Sequence, residues 1–393
     1  MERTPYDMKV EAGFGKMIMW LGLKLSWLIP FSNSSGIFFF LPYYHVGGAE
    51  KVHAEIVSCF SQTRPWVFFT HQSKDNKFRP LFGTHARLFN VWWLVKYTYP
   101  FSAGFVAGLI NRHRRPIVFG CSSRFFYKMV PYLDSNVRRI DLLHAFGGGG
   151  EHFSLPAVPF LDARVVISRK TLEDIRCQYA ANDLDAKYLA RVVLIENRIN
   201  VPASFQQKAS SRLQVLYVGR GSEEKRVHIA GMVATLIKER GIAADFRFAG
   251  DVARAIRPED RSNCVLLGEI KDPEELAMVY KKADILLLCS SREGFPVVIM
   301  EAMANGVVPV TTSVGGIPEH IEDGRNGILV TGIEEDAIVR KMADILSHFT
   351  QNMADLKEMS YAAYGYAKEH FSGGDYCRKY HDLFFGTLEK DGK

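Results

Sequence analysis

The sequence lacks a hydrophobic run long enough to cross a membrane. The best candidate, Met17–Phe31 (MIMWLGLKLSWLIPF), has 15 residues and contains Lys24, whereas a spanning helix needs about 20 apolar residues. The run does not read as a signal peptide either: Glu2, Asp7 and Glu11 make the start acidic, and no small-residue cleavage site follows. Two readings of this segment stay open. It is a helix packed on the protein, or an interfacial helix with Trp20 and Trp27 at headgroup level. A CxxC pair is missing too. Cys59, Cys121, Cys177, Cys264, Cys289 and Cys377 are scattered, and Cys59, Cys121, Cys264 and Cys289 lie in apolar surroundings. They read as reduced core residues of a cytosolic protein. There is no HExxH, no GxSxG elbow, and GRGSEE stops short of the third glycine of a dinucleotide fingerprint. Zinc-protease, serine-hydrolase and nicotinamide readings are thereby excluded. No repeat of 20–50 residues or low-complexity tract appears.

What is present is an ordinary globular composition: 393 residues, 47% hydrophobic and 23% charged, enough for two domains. The net charge of +6 conceals an asymmetry. Residues 1–200 carry 25 Lys and Arg against 15 Asp and Glu, net +10; residues 201–393 carry 24 against 28, net −4. The basic half carries no nucleic-acid motif, so no nucleic-acid partner is expected.

From Ile37 the chain alternates apolar strands, glycine turns and helices. Strands are predicted at Ile37–Pro42, Trp66–Thr70, Pro116–Cys121, Ile140–His144, Val165–Ser168 and Val192–Ile195. A linker-like segment, Pro202–Arg212, follows, and the alternation restarts with strands at Gln214–Val218, Phe246–Ala249, Val265–Leu267, Ile285–Cys289, Val308–Thr311 and Gly327–Val330. Buried apolar strands alternating with helices indicate α/β layers with parallel sheets. Ligands of such sheets bind beyond the carboxyl ends of the strands.

The most informative segment is SREGFPVVIMEAMANGVVPVTTSVGGIPEHIEDGRNGILV, residues 291–330. Glu293 lies at a strand exit, and Glu301 lies inside a helix that starts near Pro296. A charge in so apolar a helix asks for a partner. The backbone around Gly294, Phe295, Pro296 and Val297 forms a helix N-terminus suited to an anion, although Pro296 has no N–H to give. Upstream, VLYVGRGSEEKRVHIA places Arg220 and Lys225 after another strand. VLLGEI ends at Glu269 and Ile270. In the first half, LPYYHVGGAEKVHAEI carries Gly47 and Gly48 before a helix, and His144 ends RRIDLLHAF ahead of four glycines. His45, His71 and His152 are weaker candidates. Asp183-Leu184-Asp185 is formally a DxD, but it lies in a polar helix–loop segment rather than at a strand end, so no metal site is assigned to it.

The glutamate pair followed by PVV and VGGIPE…G..G.LV, together with GGAE upstream, resembles the retaining glycosyltransferases of family 4 (glycosyl transferases group 1), which have the GT-B fold. The resemblance covers almost the whole chain after residue 36, with only short motifs in the first half. It implies two doubly wound Rossmann-like domains facing across a cleft, with a helical C-terminal extension. The expected division is an apolar helical extension at 1–36, an acceptor domain at 37–204, a nucleotide-sugar donor domain at 205–360, and helices at 361–393 crossing back to the first domain. By the same resemblance, Glu301 binds ribose hydroxyls, Glu293 contacts the donor hexose, Arg220 and Lys225 clamp the diphosphate, and His144 meets the sugar near its reacting centre. Glu269 and Ile270 mark the base-binding strand exit, and Gly47 and Gly48 face donor phosphate or acceptor. Fixed cations of this kind can replace a metal, so no metal or cofactor is expected; the UDP- or GDP-sugar is a co-substrate. The implied reaction moves a hexose to a saccharide or polyprenyl-linked acceptor in polysaccharide or lipopolysaccharide synthesis. The expected location is cytoplasmic, with peripheral attachment to the inner membrane face left open. Two alternatives are a nucleotide-sugar epimerase of GT-B architecture and an inert sugar-nucleotide-binding subunit.

Overall fold

A computed structural model describes residues 13–29, 36–205 and 212–386. The acidic start and residues 206–211 of the linker therefore lie outside the described residues, as do the last two residues of the Met17–Phe31 run. The chain forms two compact units. The first takes the described residues up to Ile167, Leu172–Glu196 and those from Asp375 onward; the second takes Ser168–Thr171 and Asn197–Gly374.

The first unit is built on a parallel sheet of β1 (Ile37–Leu41), β2 (Trp66–Phe69), β3 (Arg87–Asn90), β4 (Ile117–Cys121), β5 (Arg138–Leu143), β6 (Ala163–Val166) and β7 (Val192–Leu194), in the order β3-β2-β1-β4-β5-β6-β7. The central strand, IFFFL, is buried along its length. Its phenylalanines cannot form a solvated face, so helices cover both sides of the sheet. Phe40 stacks on Phe68 at 5.1 Å on one side, while Phe39 meets Phe60 and Phe384 on the other.

The second unit is a parallel sheet of β8 (Leu213–Val218), β9 (Ala244–Ala249), β10 (Val265–Gly268), β11 (Ile285–Leu288), β12 (Val308–Thr312) and β13 (Ile328–Val330), in the order β10-β9-β8-β11-β12-β13. In each sheet the strand order reverses at its first strand, beside β1 and beside β8. That leaves a crevice at the carboxyl ends, where open α/β sheets take ligands.

The unit boundaries fall at Glu196/Asn197 and Gly374/Asp375, earlier and later than the 204/205 and 360/361 expected. Hydrogen bonds explain the first shift: Ile199 N donates to Phe371 O at 3.0 Å, and Tyr364 donates to Pro202 O at 2.8 Å. The helix Tyr376–Phe385 packs on the first sheet, with Phe384 stacked on Phe60 at 4.2 Å.

One expectation fails there. Cys59 is not a reduced core thiol: it forms a disulfide with Cys377, 318 residues away. The apolar surroundings that suggested a free thiol are the seat of the C-terminal helix, and sequence spacing gave no sign of the pairing. Cys121 and Cys289 are free and buried.

The N-terminal segment forms the helix Phe14–Leu25, which packs on the helix Trp92–Asn111. That second helix is kinked at Thr98, two residues before Pro100. Gly22 lies against the Phe101 carbonyl, Gly104 against the Met19 carbonyl, and Gly108 against Ser26, with no room for a β-carbon at any of them. Arg112 donates to the carbonyls of Ser26 and Ile29 at 2.8 and 2.9 Å. The helix is thus docked by one side, while Phe14, Trp20, Trp27 and Leu28 are exposed. Among the described residues, no helix is long and apolar enough to cross a membrane.

Candidate active site

In the second unit, the loop after β11 and the loop after β8 are tied together. Ser291 N donates to Glu224 O at 2.8 Å. Lys225 Nζ donates to Glu293 Oε1 at 2.5 Å, and Ser290 Oγ donates to the same oxygen at 2.7 Å. The Glu293 side chain is 9% exposed and that of Lys225 19%. A carboxylate so covered is stabilised by a cation and a hydroxyl acting together. Lys225, expected to face a diphosphate, here neutralises Glu293. Arg220 is exposed at the end of the same loop, and its carbonyl accepts from Tyr217 at 3.1 Å.

Arg226 was not singled out from the sequence. It adopts a left-handed backbone (φ 44°) and donates to the carbonyls of Cys289 and Ser290 at 2.7 and 3.2 Å. The β11 exit is thereby pinned from both loops. Gly315 (φ +59°) and Gly316 press against the backbone of Glu293 and Gly294, leaving no room for side chains, and Gly316 N donates to Gly294 O at 2.6 Å. This close approach is the physical content of the Gly-Gly in VGGIPE.

The helix Val297–Ala304 follows, with Pro296 at its N-cap. Phe295 buries its ring against His320, 4.1 Å away, so the Gly294–Val297 turn offers its main chain. Glu301 has the partner its apolar helix calls for: Tyr280 donates to Glu301 Oε2 at 2.9 Å. Burial, and then the carboxylate, push the Tyr280 hydroxyl well above its ordinary range, so Tyr280 stays a neutral donor.

Glu269 lines a concavity with Gly250, Asp251, Ala253, Gly268 and Lys271 beyond β9 and β10; Ile270 does not line it. Gly250 (φ +128°) sits against the Gly219 carbonyl and donates to Gly268 O at 2.7 Å.

In the first unit, Gly47 caps the helix Gly48–Ser58. A β-carbon on Gly47 would collide with the buried Glu50 carboxylate, whereas one on Gly48 would meet open space. His144 lies just beyond β5, with Nε2 2.9 Å from His53 Nε2. Burial pushes His144 down to about 4, and burial with His144 nearby holds His53 well below its ordinary value. Both imidazoles are neutral at pH 7, one donating and the other accepting. His53 was not identified from the sequence, where it reads as one more helix residue. Asp185 of the formal DxD caps the following 3-10 turn, accepting from Lys187 N at 2.9 Å.

Residues 212–348 match the family described as Glycosyl transferases group 1. The chain is 34% identical over 163 residues to the amylovoran biosynthesis glycosyltransferase AmsK of Erwinia amylovora, a match covering 38% of this chain and 39% of that protein. The structure of Anabaena Alr3699/HepE in complex with UDP-glucose aligns with a TM-score of 0.69 at 16% identity, over 90% of this chain and 100% of the other. The lipopolysaccharide outer core galactosyltransferase WaaB aligns with a TM-score of 0.64 at 18% identity, over 90% and 99%. The fold is GT-B, and the stretch of the second unit at residues 212–348 is what matches the group 1 glycosyltransferase model. The sequence match spans well under half the length of AmsK.

Proposed function

We propose that the chain is a retaining glycosyltransferase that moves a hexose from a nucleoside-diphosphate sugar to a saccharide or lipid-linked saccharide in polysaccharide or lipopolysaccharide synthesis. The observation that carries this reading is the buried Lys225–Glu293–Ser290 network at a strand exit, one turn ahead of the helix that presents Glu301. AmsK is named for amylovoran biosynthesis and WaaB for the lipopolysaccharide outer core, which supports the acceptor class.

Roles follow from the chemistry. Glu301, oriented by Tyr280, accepts from ribose hydroxyls, and the concavity at Glu269 takes the base. Arg220 and Lys225 take the diphosphate. Its charge competes for Lys225, and Glu293 is then released to the hexose hydroxyls. The N–H groups of Gly294, Phe295 and Val297 face the sugar and phosphate, and neutral His144 donates to the sugar. Gly47 and the open Gly48 admit phosphate or acceptor. The bond between sugar and phosphate breaks, and the departing diphosphate, which gains charge, is stabilised by the two cations. Glu293, committed to Lys225 and then to hydroxyls, is not the nucleophile. The leaving phosphate takes the acceptor hydroxyl's proton on the same face, and the new glycosidic bond keeps the anomeric configuration. This scheme assigns no metal to the diphosphate.

The N-terminal helix gives the acceptor a setting. Its exposed Phe14, Trp20, Trp27 and Leu28 accompany Lys16 and Lys24 in a unit of positive charge. We propose peripheral contact with an anionic membrane surface, tested by vesicle co-sedimentation. Transfer itself is tested with a panel of UDP- and GDP-sugars. Nucleoside-diphosphate release dependent on a saccharide acceptor supports the reading; release of an isomerised donor without acceptor, or no release from any donor, rejects it.

A further inference from the structure

His53 on the helix Gly48–Ser58, Cys121 at the end of β4 and His144 beyond β5 converge over the carboxyl ends of the first sheet. One ring nitrogen of each histidine and the Cys121 sulfur all lie within 4.8 Å of one another. The protein's own atoms leave this cluster incompletely satisfied. Among the described residues, His53 Nδ1 is buried without a hydrogen-bond partner, and the Cys121 sulfur has a 3.7 Å contact with Ser122 Oγ in its own turn. Two imidazoles and a thiol with no carboxylate among them make a nitrogen–sulfur donor set. Magnesium and calcium require oxygen ligands; zinc and cobalt take histidine and cysteine.

We propose that His53, Cys121 and His144 bind a divalent cation of the zinc class. Tetrahedral ligands at zinc lie roughly 3.3–3.8 Å apart, given bonds of about 2.0 Å to nitrogen and about 2.3 Å to sulfur. The His53–His144 separation of 2.9 Å must open slightly, a movement within reach of side-chain rotation, and the sulfur already lies within 4.8 Å of both histidines. On binding, the thiol gives its proton to solvent and its sulfur bonds to the metal as thiolate. The site then carries one net positive charge among these three ligands. The buried Glu50 carboxylate, electrostatically coupled to Cys121, offsets it. Three protein ligands leave a fourth position for water or a substrate oxygen. This binding claim stands apart from the transferase reading. If His144 also serves the donor sugar, the cation competes with that role and inhibits transfer.

The test is a cobalt(II) titration of the full-length protein, followed by absorption. The expected result is one cobalt per chain with a thiolate-to-cobalt charge-transfer band, displaced by equimolar zinc. Cys121→Ser abolishes the band, and His53→Gln weakens cobalt binding at least tenfold, both with unchanged far-UV circular dichroism. Absence of stoichiometric binding, or a band that survives Cys121→Ser, overturns the proposal. Should either variant fail to fold, X-ray absorption on the zinc-loaded wild type decides: one sulfur and two imidazole scatterers are expected, and a shell without sulfur refutes the site.

Discussion

Each unit manages buried charge by pairing it. Glu293 is answered by Lys225 and Ser290 at the candidate site. Asp141 and Arg164 lie inside the first sheet, paired at 2.6 Å and closed off by Tyr127, Ser154 and Tyr179. Removing one partner of such a pair strands a charge. Arg164→Met should therefore cost about 3–5 kcal/mol, read as a lower denaturation midpoint of the first unit. The double change Asp141→Leu with Arg164→Met should recover most of that loss. A single variant as stable as wild type would show that the pair is not worth this much. The sequence made Glu293 and Glu301 conspicuous because one charge precedes an apolar helix and the other lies inside it. It could not reveal Tyr280, which precedes Glu301 by 21 residues and reads as helix core, nor Arg226, whose left-handed backbone has no sequence signature. Arg164 was likewise hidden inside the strand ARVV.

Most elements were legible because each strand is a short apolar run bounded by glycine or polar residues. The exception is β3, Arg87–Asn90. Its RLFN lies at the sheet edge, with Arg87 and Asn90 exposed and Leu88 and Phe89 half-buried, so it lacks the continuous apolar run of a central strand. Helix docking was less visible. The small residues Gly22, Gly104 and Gly108 set the distance between the N-terminal helix and the helix Trp92–Asn111, and nothing in their spacing announced a partner. Gly104→Leu would push a side chain into the Met19 carbonyl. It should undock the N-terminal helix, seen as faster tryptic cleavage at Lys16 and Lys24 while the rest of the chain stays intact. Unchanged cleavage at those two sites would contradict the close packing.

At the scale of the whole molecule, charge and chemistry divide between the units. The basic first half carries the exposed apolar helix, and the acidic second half carries the stretch that matches the group 1 model. Binding to anionic vesicles should fall as ionic strength rises, because juxtamembrane lysines act through a screened field, and it should be lost on deleting residues 1–36. Equal binding with and without that segment would place any membrane contact elsewhere. The central claim is that the second unit holds a nucleotide sugar through Glu301. Calorimetric titration of UDP- and GDP-sugars into wild type and Glu301→Gln tests it most directly, since glutamine still accepts from Tyr280 but brings no charge to the ribose. The account predicts that at least one donor binds wild type and that the variant loses more than tenfold in affinity, about 1.5–3 kcal/mol for hydrogen bonds to a charged group. A donor that binds both proteins equally, or no binding by any donor, would contradict it.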